Sequence, residues 1–352
     1  MELKFRVIDK ITQETTFCNL KEEFKFLLPR ISLPSEIINS GNLGKIRCGL
    51  VDTEKNKIFF ISNSKDYIQS SSRFKSDVLH LTSLIDNFLT HICQQQIDFQ
   101  LQKTQRLSHN IRSINANCLT SFFSFFPQEE LSSKDNKIQT KIEKITKENH
   151  LDIPNLLLKL HKNHLAIKTE FEVFEKLYTK NPFLSKKKHK IHRVLMNVYY
   201  PFFSDFQEKG VLVNIYPSEL KSIFDYDTLH VAFFHLFENA YKYSKPNSSI
   251  NIMISEDLSS TLITFNMESL AIDSSEIPLI FTEGWSSNIS KETGKSGNGL
   301  GMYIVKRLVE LNNGNISFEA IPNTLSKYGS NGLEIYFQKN KIVISLNKNQ
   351  PK

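Results

Sequence analysis

The sequence has no C-x-x-C pair; Cys18, Cys48, Cys93 and Cys118 are scattered through 352 residues. That spacing offers neither a metal site nor a disulfide framework and points to a reducing compartment. There is no run of 18 apolar residues, so no membrane span is expected. The start, Met1-Glu2-Leu3-Lys4, carries no signal-peptide pattern. A cytoplasmic protein is the expectation. Positive charge is not gathered into a stripe: of the net +7, only Lys186-Lys187-Lys188-His189-Lys190 forms a dense run. A nucleic-acid footprint needs a basic surface with interleaved aromatics, so this run reads as a solvated linker and no nucleic acid is expected. Glycine is scarce, at 12 residues, yet eight of these lie between Gly284 and Gly332. Close backbone approach is concentrated there. What the chain does have is 40% hydrophobic and 23% charged residues, enough for sizeable cores in two or three domains.

Residues 1–74 read as a small α/β unit. Leu3, Phe5 and Val7 alternate as on a half-buried strand, and Ile46–Val51 and Ile58–Ile61 flank a hairpin turn at Asp52-Thr53-Glu54-Lys55-Asn56. Leu20–Leu28 suits a helix. No cofactor motif occurs here, and the position suggests an input or docking domain. From Lys75 to Phe126 there is no proline or glycine, and Leu81, Ile85, Phe88, Ile92, Leu107, Ile111 and Ile114 keep coiled-coil-like spacing. One helix of the order of 70 Å follows, ended by Pro127. Asp152-Ile153-Pro154 opens another, with Asp152 as cap. Leu157, Leu160, His164, Ile167, Phe171, Phe174 and Tyr178 form its a/d seam, which puts His164 in a core. Two such helices over 75–182 make a hairpin that closes its core against a second copy as a four-helix bundle.

Beyond Asn181-Pro182, Ile191–Phe206 is predicted helical and Val211–Ile215 a strand. A helix follows at Asp227–Ser244, then strands at 250–254, 261–266, 315–320, 332–338 and an edge piece at 342–345. Gly297-Asn298-Gly299-Leu300-Gly301 opens an amphipathic helix in which Ile304, Leu308 and Leu311 share a face. Glycines before a helix start admit a bulky ligand, and the free N–H groups suit a phosphate. A turn of this kind also serves plain tight packing. Upstream stand His235-Leu236-Phe237-Glu238-Asn239-Ala240-Tyr241-Lys242-Tyr243 and Ile280-Phe281-Thr282-Glu283-Gly284-Trp285. In this order the three segments resemble the N box, F box and second glycine box of histidine kinases and the wider GHKL ATPases, over roughly residues 191–338.

The resemblance implies an α+β multidomain protein: an N-terminal α/β unit (1–74), a central dimerising helical hairpin (75–182) and a C-terminal GHKL α/β sandwich (191–346). It implies ATP and Mg2+ as cofactors. Asn239 would hold the metal, and Lys242, Tyr243, Gly297, Gly299, Leu300 and Gly301 the nucleotide. Glu238 would be auxiliary. A lid would run from Trp285 to Ser296 on a base anchored by Phe281, with Ser286, Ser287 and Lys295 as phosphate contacts or plain loop residues. His109, in Arg106-Leu107-Ser108-His109-Asn110, would be the phosphoacceptor, and a homodimer would pass the phosphoryl group to a response-regulator receiver domain.

The sequence departs from the family twice. The acidic residue expected after the phosphoacceptor is Asn110, a poor base. The first glycine box, D-x-G-x-G in the family, reads Met267-Glu268-Ser269-Leu270-Ala271, without its adenine-reading carboxylate and both glycines. Asn266 would replace that carboxylate if the loop shifted by one residue. A kinase-inactive, nucleotide-gated scaffold or a GHKL ATPase therefore stands beside the kinase reading.

Overall fold

The computed structural model describes residues 3–41, 43–132, 137–179, 181–294, 297–330 and 333–348. Lys295 and Ser296 of the expected lid, and Gly332, lie outside them. The chain divides into two compact units, Met1–Gln102 and Lys103–Lys352.

In the first unit β1 (Lys4–Asp9), β2 (Thr15–Cys18), β3 (Glu36–Ser40), β4 (Gly44–Asp52) and β5 (Asn56–Ser62) form an antiparallel sheet in the order β2-β1-β5-β4-β3. The hairpin expected at 52–56 joins β4 to β5, closed by the Thr53 N–H on the Asn56 carbonyl at 2.9 Å. The helix expected over 20–28 is one turn, α1 (Glu22–Lys25), followed by a 3-10 turn. Alternation gives the sheet two apolar faces. Val7, Ile58 and Phe60 pack under Phe74 and Val78, while Ile46, Cys48 and Ile61 pack under Phe24 and Leu27. Each such buried side chain contributes about 1.5–3 kcal/mol. After α2 (Lys65–Gln69) the chain enters α3 (Ser71–Phe125), and the division between the units falls inside this helix.

The second unit begins with the remainder of α3. After α4 (Gln128–Leu131) and α5 (Ile138–Glu148), α6 (Ile153–Tyr178) returns. Phe122, Phe126, Ile145, Leu156 and Leu160 share one apolar cluster at the closed end of this hairpin. At the other end Lys103 Nζ lies over the Tyr178 ring, 4.6 Å from its centre. Pro154 sits in the first turn of α6, as expected, but the Asp152 side chain makes no capping bond. Part of the α6 seam is uncovered in the single chain: Leu157 is 60% and Phe171 51% exposed, and His164 is exposed rather than in a core. The opposite side of α6, with Thr169 and Val173 buried, packs on the C-terminal domain.

That domain starts with a correction. The lysine run expected as a linker is β6 (Lys186–Lys190), paired antiparallel with β8 (Lys221–Asp225). Between these lie α7 (Ile191–Tyr199), α8 (Phe203–Glu208) and β7 (Leu212–Ile215), the two helices separated at Pro201. Then come α9 (Tyr226–Tyr243), β9 (Ser249–Glu256), β10 (Ser260–Leu270), α10 (Asn288–Glu292), α11 (Gly301–Leu311), β11 (Gly314–Ala320), β12 (Ser326–Ser330) and β13 (Leu333–Asn347). The main sheet runs β11-β13-β10-β9-β7, with β12 also paired to β13. Residues 342–345, expected at an edge, are thus central, because β13 is one long strand between β10 and β11. On β10 the odd positions, Ile263, Phe265 and Met267, are buried toward α9 and α11 in one core. The α+β layout expected for this region is what the structure has.

Candidate functional site

The start of α9 is fixed by side chains. Asp225 caps it, Oδ1 accepting from the Thr228 N–H at 3.0 Å, while Oδ2 accepts from the Ser185 N–H at 2.7 Å. Asn312, just past α11, accepts from the Asp225 N–H at 2.8 Å and donates to Thr228 Oγ1 at 2.7 Å. This network holds α9 and α11 together at one end. At the other end, Asn239 and Lys242 on α9 meet the glycine turn before α11.

The turn is shaped by what its glycines lack. Gly299 has φ +65°, and a Cβ there would lie 2.4 Å from the Gly284 carbonyl carbon. The Gly284 N–H donates to the Gly299 carbonyl at 3.0 Å, so the F-box loop and the turn are bonded back to back. A Cβ on Gly301 would lie 3.1 Å from Asn239 Nδ2, and one on Gly297 would lie 2.8 Å from Lys242 Nζ. Asn239 Nδ2 is buried and has no hydrogen-bond partner among the described residues. An amide left with an unpaired buried end is destabilising unless something else meets it.

These groups open onto a cavity of about 330 Å³. Asn239, Lys242, Tyr243, Gly297, Gly299, Leu300 and Gly301 all line it, as does Glu238. Met267, Ser269, Leu270, Ile272, Phe318 and Ile342 form a second, mostly apolar part of the wall. Trp285, Ser286, Ser287 and Ser290 come from the expected lid, which carries the short helix α10 rather than plain loop. Ser287 is its cap, accepting from the Ser290 N–H at 3.2 Å, and Ser286 Oγ donates to the Gly297 carbonyl at 3.3 Å. Phe281 is half-buried against the main core, where the lid base was expected to be anchored.

Asn266 is not brought to the cavity. It follows Phe265 and precedes Met267 on β10, so it faces the other side of the sheet, opposite Asn251 of β9. The register is fixed by pairing on both sides of β10, and no shift is available to bring its amide inward. His109 does not line the cavity either; its side chain is exposed. Its neighbour Asn110 does, together with Arg106 one helical turn earlier and Glu170 of α6. Arg106 and Glu170 were not anticipated from sequence, because α3 and α6 reach the cavity only through the tertiary fold; His235, also in the wall, lies one turn before Asn239 on α9. Lys103, 12% exposed, bonds Glu283 at the lid base at 2.9 Å.

Electrostatics divides the wall. Burial alone would raise the Glu238 carboxyl. His235, 3.5 Å away, and the charges of Lys162 and Lys242 more than offset that, and its pKa is lowered. Burial pushes the Lys242 ammonium below its ordinary value, partly opposed by Glu238. The Tyr243 hydroxyl is raised by burial and by Glu238. The arrangement sets a half-buried cation, an amide and the backbone of the glycine turn around one end of a cleft. The unpaired Asn239 Nδ2 is a donor that suits a phosphate oxygen, and the amide's Oδ1 is the kind of oxygen a hard divalent cation takes.

Residues 224–341 match the family described as histidine kinase-, DNA gyrase B- and HSP90-like ATPases. A 97-residue stretch is 26% identical to the sensor protein SrrB of Staphylococcus aureus; it is 28% of this chain and 17% of that protein. The nucleotide-free catalytic domain of the histidine kinase ThkA aligns over 47% of this chain and 100% of its own, at 14% identity and TM-score 0.38. ThkA in complex with the response regulator protein TrrA aligns over 98% and 96%, at 14% identity and TM-score 0.38. The expected likeness to sensor histidine kinases is borne out. Among the described residues, no helix is long and apolar enough to cross a membrane.

Proposed function

We propose, from the match of residues 224–341 to the histidine kinase-like ATPases, that the chain is a cytoplasmic, homodimeric sensor histidine kinase. The observation that carries this reading is the buried Asn239 amide, unpaired and facing the glycine turn, on a cavity that also takes in Asn110 beside His109. Residues 1–74 serve as input, 75–182 as dimerising hairpin and 191–346 as ATP-binding domain. The uncovered part of the α6 seam supports pairing with a second copy.

Asn239 would hold Mg2+ through its amide oxygen, and Lys242 and the turn amides would bind the phosphates of ATP. Bound there, the metal would supply neutralisation of phosphate charge. A ring nitrogen of His109 takes the γ-phosphoryl group; the new P–N bond replaces the bond to the β-phosphate oxygen, and ADP leaves. The attacking nitrogen is the unprotonated one, and the proton on the other ring nitrogen is released to solvent, Asn110 being a poor base. His109 projects outward, so it meets the phosphate after the domain moves or from the second copy. The phosphoryl group then passes to an Asp of a receiver domain.

A scaffold that binds nucleotide without transfer is favoured instead by Asn110 and by the apolar Met267. Steady hydrolysis driven by Glu238 would make the chain a GHKL ATPase. Incubation with γ-labelled ATP and Mg2+ separates them. Acid-labile label on the wild type, absent from H109A and N239A, is expected. Retained label on H109A would sink the site assignment, and binding without label would favour the scaffold.

A further inference from the structure

One cation of the cavity wall has no part in the reading above, on which this inference rests. Arg106 reaches the cavity from α3, as Asn110 does one turn later. Lys103, Arg106 and Asn110 are spaced three and four apart, so they share one face of the helix. Lys103 is taken by Glu283, which adjoins Gly284, and the Gly284 N–H donates to the Gly299 carbonyl. Arg106 is held differently. Its guanidinium is half-buried and lies over the Tyr178 ring, 5.2 Å from the centre. Among the described residues no carboxylate forms an ion pair with it. Glu170 shares the cavity wall but stands about 12 Å before Tyr178 along α6.

Its neighbours put this cation at the phosphate end. On the preceding turn of α3, Lys103 is tied to the loop bonded back to back with the glycine turn. Under the guanidinium, Tyr178 neighbours Tyr303, in the first turn of α11 just past Gly301. The Tyr303 hydroxyl is raised by burial first and then by Glu283, and Tyr178 and Lys103 also act on it. A guanidinium stacked on an aromatic face keeps its N–H edge for bonds in its own plane, and that fork matches a phosphate. Asn239, Lys242 and the turn amides meet a polyphosphate from within the C-terminal domain. Arg106 meets it from the helix that carries His109, and so from the side of the phosphate to be transferred.

We infer that Arg106 is a ligand of the terminal phosphate, which lets the cavity tell a nucleoside triphosphate from the diphosphate. The test is calorimetric titration of the full chain with the magnesium salts of ATP and ADP, beside R106A, R106K and N239A. R106A should weaken ATP by about tenfold and ADP by less than about threefold. R106K keeps the charge without the fork, so its ATP affinity should fall between wild type and R106A. It also carries the test should R106A not fold. An equal loss for ATP and ADP would make Arg106 a structural group, and an unchanged ratio of the two Kd values in both variants would remove it from the site. Either result overturns the inference while binding weakened by N239A leaves the nucleotide reading standing. If neither nucleotide binds, or N239A changes nothing, the nucleotide reading falls and this inference with it.

Discussion

At the glycine turn the cavity wall is backbone; at β10 it is side chain. Gly297, Gly299 and Gly301 act by leaving space that a Cβ would fill, against Lys242, the Gly284–Trp285 backbone and Asn239 respectively. Met267, Ser269 and Asn340 act by what they carry. Gly299 leaves no room for a side chain, because one would meet fixed main chain, whereas at Gly297 and Gly301 a Cβ would meet the side chains of Lys242 and Asn239, which line the cavity. The side-chain end is open to rewriting one residue at a time without disturbing the strand. That accounts for a chain that keeps one glycine box and has replaced the other.

Breaking the backbone end should have the largest effect. G299V adds a Cβ at 2.4 Å from main chain and a β-branched residue at φ +65°. Nucleotide affinity should fall by more than about a hundredfold, with far-ultraviolet circular dichroism unchanged. Binding that survives within about threefold would mean the turn is a packing element and not a ligand wall. A smaller effect tests charge at the same end. Burial lowers the Lys242 pKa below 10.5, so triphosphate binding is full while the ammonium is protonated and declines as pH rises through the lowered value, before 10.5 is reached. ATP titrated across this range should weaken, adenosine should not, and K242R should flatten the profile. Equal profiles for ATP and adenosine would remove Lys242 from the phosphate site. The smallest effect tests the side-chain end. Q338L leaves the buried Asn340 Oδ1 without its donor and should lower stability by about 1–3 kcal/mol, with nucleotide affinity held within about threefold. An unchanged denaturation midpoint would show that this bond does not hold the side-chain end together.

The same contrast governs what could be read from the sequence. The long helices were legible because they need only periodicity and the absence of Pro and Gly before Pro127. The glycine turn was legible because nothing but glycine serves there. The face of β10 was recoverable too: the alternation Ile263, Phe265, Met267 puts Asn266 on the opposite side of the strand. Arg106, Asn110 and Glu170 reach the cavity by tertiary packing, which leaves no local pattern. Of these, Asn110 drew notice only through its place beside His109. The lysines of β6 carry no strand signature; they are held by the ladder to β8, whose Phe224 is buried. His164 keeps seam spacing yet is exposed in the single chain, since spacing along a helix does not by itself say what covers it.

The buried bonds among Asp225, Thr228 and Asn312 tie the first turn of α9 to the end of α11. Asn239 and Gly301 sit at the far ends of those same two helices. The gap between them is thus set like the opening of a pair of callipers, by a pivot remote from the tips. Strain at the pivot would change the spacing at the phosphate end without altering a single residue there, and the base end, carried on the sheet, would be spared.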